Sequence, residues 1–264
     1  YTYVGAIFLI LVFIGASLHW NHIYHWMDPE LYDPNSSHYD HLIAGKQAYL
    51  NQPFWWARTL IFLGVYVFFT YWFRKKSLEE DAQGGLSVYK KSRTMSAIFL
   101  VFFGYTSVVA TWDWLMSIDT HWFSTLYGWY IFSGIWISSM VCMYLLTTYL
   151  KSLGYLEQVN KSHIHDLGKW IFAVSFLWTY LFFSQFMLIW YSNIPEEVTY
   201  YIPRIQDYTW VFWGMVIINF VFPMLLLMSK DTKRNLGVLT FVSILILVGH
   251  WLDVYMLITP GVMK

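Results

Sequence analysis

The sequence predicts an all-α, polytopic transmembrane helical bundle, and three observations carry that expectation. Hydrophobic residues make up 58% of the 264 and charged residues only 12%, well outside the usual soluble composition. Seven segments, at about 3–19, 53–73, 93–116, 125–150, 168–192, 208–228 and 236–258, are apolar over or close to the ~20 residues that a helix needs to cross a bilayer core. The connectors also alternate in charge: those at 74–93, 151–169 and 229–235 hold twelve of the sixteen Lys and Arg, and Lys46, Arg58, Arg204 and Lys264 fall on the other side. By the positive-inside rule the first set is cytoplasmic, so the first segment runs outward and the seventh ends outside.

Taken in order, the chain opens at Tyr1 inside an apolar run with no Met, no basic region and no cleavage site, so it does not read as a signal peptide. The expectation is a single integral membrane domain over 1–264, part of a longer protein. The outer connector from Trp20 to Gln52 is long and rich in His, Trp, Tyr and Asp. Such a loop suits either a functional, partner-covered surface or an interfacial aromatic belt. The cytoplasmic connector with Glu79, Glu80, Asp81, Gly84 and Gly85 reads as a solvated turn. Zero net charge gives no electrostatic case for nucleic acid. The lone cysteine, Cys142, lies within an apolar segment, which excludes a disulfide framework, a cysteine-ligated iron–sulfur cluster and a CxxCH haem attachment. Any redox centre must then belong to another subunit or be bound by histidine.

Four ionisable residues stand inside the apolar segments at similar depth on the outer side: Arg58 in the second, Asp113 in the third, His250 and Asp253 in the seventh. An intramembrane charge is costly unless paired or used. His250 and Asp253 share a helix face by their i, i+3 spacing. Such a cluster can exchange the protons released when a quinol is oxidised, with pKa values moved by burial and by a neighbouring Arg; the alternative is an Arg–Asp pair pinning helices together. Deeper, Ser184, Gln185 and Asn219, with Lys169 at the cytoplasmic end, are candidates either for interhelical hydrogen bonds or for rungs of a proton path, and Pro223 frees a backbone carbonyl near Asn219. His163, His165 and Asp166 have the spacing of a weak metal-ligand pair or of a solvated helix start. His19 and His250 lie at outer ends of their segments, as a bis-His haem b would require, with no second pair deeper.

Three stretches read together as a family pattern: 112–128, beginning Trp112-Asp113-Trp114-Leu115-Met116-Ser117-Ile118-Asp119; 183–197, containing Phe183-Ser184-Gln185-Phe186 and Asn193-Ile194-Pro195-Glu196-Glu197; and Gly249-His250-Trp251-Leu252-Asp253. With the loop His25-Trp26-Met27-Asp28-Pro29-Glu30 they resemble the ActF-type subunits of bacterial alternative complex III, within the NrfD or polysulfide reductase-like membrane subunits. The resemblance implies a multi-pass subunit of the bacterial inner membrane, of about ten spans built around two four-helix bundles. It further implies a quinol:cytochrome c oxidoreductase complex fed by menaquinol, in which this subunit holds no redox centre. The haem c and iron–sulfur clusters would lie on partner subunits, beside the paralogue ActC, membrane lipids and a terminal oxidase. Asp113, His250 and Asp253 carry over as outer polar residues, Ser184 and Gln185 as mid-membrane ones. Two other readings stand beside it: a purely structural scaffold, and an independent transporter or haem b protein.

Overall fold

The structure, a computed structural model, describes residues 1–84 and 86–263. Gly85 of the cytoplasmic connector and Lys264 of the outer basic set lie outside the described residues. Every regular element among those described is helical. Six helical stretches are long and apolar enough to cross a membrane, so the protein is a multi-pass helical membrane protein. The segment expected at 3–19 is helix α1, Thr2–Ser17, whose 16 residues span only about 24 Å at 1.5 Å each.

The chain divides into two compact units, Tyr1–His121 and Trp122–Lys264. In the first, α1 is followed by a long outer loop with a short helix α2, His41–Gly45, then by α3, Gln52–Gln83, and α4, Leu86–Trp114. Asn51 starts α3: its side chain accepts the Phe54 N–H at 3.0 Å, and Pro53 in the first turn has no N–H to leave unpaired. Asp40 does the same for α2, accepting from Leu42 and Ile43. The loop folds back over the outer ends of α3 and α4 as an aromatic lid. Phe13, Tyr24, Trp26 and Trp55 pack edge-on or tilted at 4.9–6.2 Å. The Tyr24 hydroxyl donates to the Trp114 carbonyl at 2.8 Å, and Lys46 donates to that of Thr120.

The second unit is built from α5, Thr125–Ser152; α6, Lys161–Ser192; two short outer helices, α7, Pro195–Val198, and α8, Tyr201–Gln206; a descending stretch of α9, Thr209–Val216, a π-turn, Ile217–Val221, and α10, Phe222–Leu227; then α11, Lys230–Arg234, and α12, Leu236–Val262. Asn160 opens α6 through a reciprocal capping box with His163. That box gives His163 a structural partner, and Asp166 pairs with Lys169 at 2.6 Å on the same helix. Asn193 closes α6 in the left-handed conformation, φ 48°. Ile137, Val141, Ile171, Leu227, Leu239 and Val242 form part of one buried core cluster. Bilayer lipid is as apolar as these side chains, so close packing and a few hydrogen bonds hold the helices together. Tyr144 supplies one, to Thr240 at 2.9 Å.

The π-turn has a local cause. Pro223 has no N–H for the carbonyl of Asn219 four residues earlier, so the α register cannot continue, and the helix widens until Phe222 donates to Ile217. Lys233 then closes α10, donating to the Leu227 carbonyl at 2.7 Å and the Met228 carbonyl at 3.2 Å.

Candidate functional site

Each unit carries one buried acid of the set read from the sequence. In the first, Asp113 is fully buried on α4 and receives a bidentate pair from Arg58 of α3, Nε to Oδ2 at 2.7 Å and Nη2 to Oδ1 at 2.9 Å. The Asp113 carbonyl accepts from the Trp55 indole at 2.9 Å and the Ser117 hydroxyl at 2.5 Å. The Arg58 guanidinium lies against the rings of Tyr49 and Phe54, 4.0 and 4.1 Å from their centroids, and Nη2 reaches the Tyr49 carbonyl at 3.3 Å. The lid seals this pair from above. Burial, and then the Asp113 carboxylate, push the Tyr24 and Tyr49 phenols well above their ordinary range, so both stay neutral hydroxyls. Geometry of this kind fixes a charge pair in place.

In the second unit, Asp253 of α12 is 5% exposed and His250, one turn earlier, is 7% exposed. The Tyr130 hydroxyl of α5 donates to Asp253 Oδ1, and the Trp178 indole of α6 donates to Oδ2 at 3.3 Å. His250 Nδ1 stands 3.6 Å from the same Oδ2, and its ring meets Trp178 edge-on at 5.3 Å. Gly134 of α5 lies against both rings: a Cβ there would sit in ordinary contact with His250 and Trp178 at 3.6 Å. Three side chains, one from each of α5, α6 and α12, thus meet at one carboxylate.

Beside Asp253 lies a cavity of about 20 Å³, room for roughly one water, lined in part by Tyr130, Gln185, Tyr201 and Arg204. Arg204 reaches it from α8, where Nε donates to the Met256 carbonyl at 3.0 Å and Nη2 to that of Leu257 at 3.3 Å. The first of these is the acceptor that Pro260, four residues on, cannot serve. Arg204 also bonds the Tyr200 carbonyl at 2.7 Å and stacks on the Tyr200 ring, which lies flat on Trp122 at 3.9 Å. Burial raises the Tyr201 phenol, so it too is a neutral donor. Phe182 and Phe212 form one wall of the cavity and, on their other side, line an aromatic groove of about 450 Å³ running along α6 and α9. The exposed rings of Phe176, Tyr180, Phe183 and Trp213 border the groove.

The structure therefore brings Arg58 to Asp113 and His250 to Asp253. Gln185 joins the Asp253 cavity, Ser184 is only partly buried, and Lys169 is half exposed in its pair with Asp166. Asn219 is buried at 2% in the π-turn. Sequence reasoning missed Tyr130, Trp178 and Arg204. Tyr130 and Trp178 have no distinguishing signal among 21 Tyr and 16 Trp; Arg204 had one, since a proline inside an apolar helix leaves a carbonyl that needs a donor.

Fold and site together define a polytopic helical membrane protein with a buried polar cluster around Asp253 of α12. The chain matches no protein-family model and no curated protein.

Proposed function

We propose that this chain is an NrfD-like membrane subunit, of the ActF type, in a quinol:cytochrome c oxidoreductase of the bacterial inner membrane, and that its second unit exchanges protons at Asp253. The observation that carries the proton role is the arrangement around that carboxylate: a phenol, an indole and an imidazole converge on it beside a water-sized cavity. Oxidation of a quinol releases two electrons and two protons. The electrons pass to the iron–sulfur and haem c centres of partner subunits. Asp253 takes one proton, in a site where Tyr130 and Trp178 hold its oxygens, and His250 is placed to take a second. The groove behind Phe182 and Phe212 is of a size and polarity that suit a menaquinol's apolar body, and the cavity lies one ring away.

The test is Asp253→Asn in the assembled complex. Quinol turnover and proton release are expected to fall about 10–100-fold, the scale of a lost acid–base group, with assembly and partner haem content retained. Unchanged turnover and proton release would eliminate the role. A second reading, that the chain is a scaffold holding its paralogue, is favoured by the Arg58–Asp113 pair, whose closed bidentate geometry leaves the acid no free oxygen. In that reading polar-site variants change only the yield of complex.

A further inference from the structure

We infer that the π-turn of the second unit is an internal water-binding site, seated on Asn219. Neither atom of the Asn219 amide has a hydrogen-bond partner among the described residues, though the residue is only 2% exposed. The same holds for the hydroxyls of Ser175, 3% exposed, and Ser243, 0% exposed. Buried polar atoms in folded proteins are paired with protein or with ordered water. Four such atoms left dry in one helical unit would each carry a desolvation cost with nothing to offset it.

The placement favours water over other ligands. The amide offers an acceptor and a donor together, and the hydroxyls offer both as well. Water satisfies all of these, whereas a cation could use only the oxygens. The site is also built into the backbone. Pro223 widens the helix at Asn219, and Gly249 of α12 makes room opposite: a Cβ there would fall 2.1 Å from Asn219 Oδ1 and 2.7 Å from Ile218 Cγ2. Gly249 is the residue before His250. Ser243 lies seven residues before His250 on α12, and Ser175 three before Trp178 on α6, so both hydroxyls stand toward the cytoplasmic ends of their helices relative to the Asp253 cluster. The water at Asn219 lies beside Gly249, the neighbour of His250 in that cluster. Its use as a proton relay rests on the reading of Asp253 above; its presence does not.

The experiment is a density map of the full chain in lipid, at a resolution that shows ordered waters at the polar groups of the outer lid. Density within hydrogen-bonding reach of both Asn219 amide atoms is expected, and its loss in Gly249→Ala, whose methyl displaces the amide. X-ray hydroxyl-radical labelling of residues 215–222, read by mass spectrometry, is expected to fall severalfold in the same variant. An Asn219 amide touching only carbon in that map overturns the inference. Should Gly249→Ala fail to fold, Asn219→Leu serves. Removal of two dry polar atoms would raise its Tm, and such a rise overturns the inference; an unchanged or lower Tm supports the water. A Tm that rises selectively with sodium over potassium at equal ionic strength would point to a cation and overturn it as well. The two readings fail separately: a dry amide leaves the Asp253 result standing, and an inert Asp253→Asn leaves the water.

Discussion

At the scale of single residues, the two buried acids differ in what their partners leave free. Asp113 gives both oxygens to Arg58, so removing either partner strands the other as an unpaired buried charge. Arg58→Met is expected to cost about 3–5 kcal/mol, and the double variant Arg58→Met with Asp113→Leu less than either single change; thermal unfolding in detergent measures both. Asp253 instead is held by neutral donors, so Asp253→Asn keeps most of its contacts and is expected to fold near the wild-type Tm. The spacing of His250 and Asp253 and the lone acid at Asp113 were legible in the sequence, because a charged residue inside an apolar segment stands out against its background. Tyr130 and Trp178 were not, because tertiary approach alone selects them from a chain that is 22% aromatic.

At the scale of elements, Pro260 and Arg204 form a testable unit. Arg204→Ala is expected to destabilise the outer end of α12 by about 1–3 kcal/mol, the cost of an unsatisfied buried acceptor. In a Pro260→Ala background the restored N–H can serve the Met256 carbonyl, so the penalty for Arg204→Ala should shrink; a double-mutant cycle reads the coupling. The lid has its own dependence. Asp40 is partly desolvated, which alone would raise its pKa, but the hydrogen bond to His121 at 2.5 Å and the N–H groups of Ile43 and Leu42 hold it below the ordinary 3.8. A group whose pKa is lowered by folding stabilises above its unfolded value, and that stability is lost as pH falls through the folded one. Hydrogen-exchange protection across 21–51, taken relative to the intrinsic rate at each pH, should therefore be high at neutral pH and fall below about 4, and Asp40→Asn should lower it at neutral pH as well. Helix positions were readable from apolar run length. The π-turn was only half readable: Pro223 marked a freed backbone carbonyl near Asn219, but its resolution as a widened turn facing Gly249 depends on α12.

At the scale of the whole molecule, apolar run length and the alternation of basic connectors suffice to predict a multi-pass helical protein, and the helices agree. The same alternation sets an orientation that cysteine labelling can check. In a Cys142→Ala background, Asn35→Cys is expected to react with an impermeant maleimide from outside and Ser162→Cys only from the cytoplasmic side. The division into two units was not legible, because both are strongly apolar and the boundary at His121–Trp122 falls inside one continuous motif.

Trp178 gives the acid of the second unit a spectroscopic voice. Its indole N–H points at Asp253, while its ring lies on Phe182 at 5.4 Å and almost parallel, so the nucleus sits in a fixed frame. A proton arriving on the carboxylate weakens that one acceptor and shifts a single ¹⁵N indole resonance, assignable by its loss in Trp178→Phe. The titration of Asp253 can then be followed in the resting subunit, with no substrate turning over and no electron acceptor present.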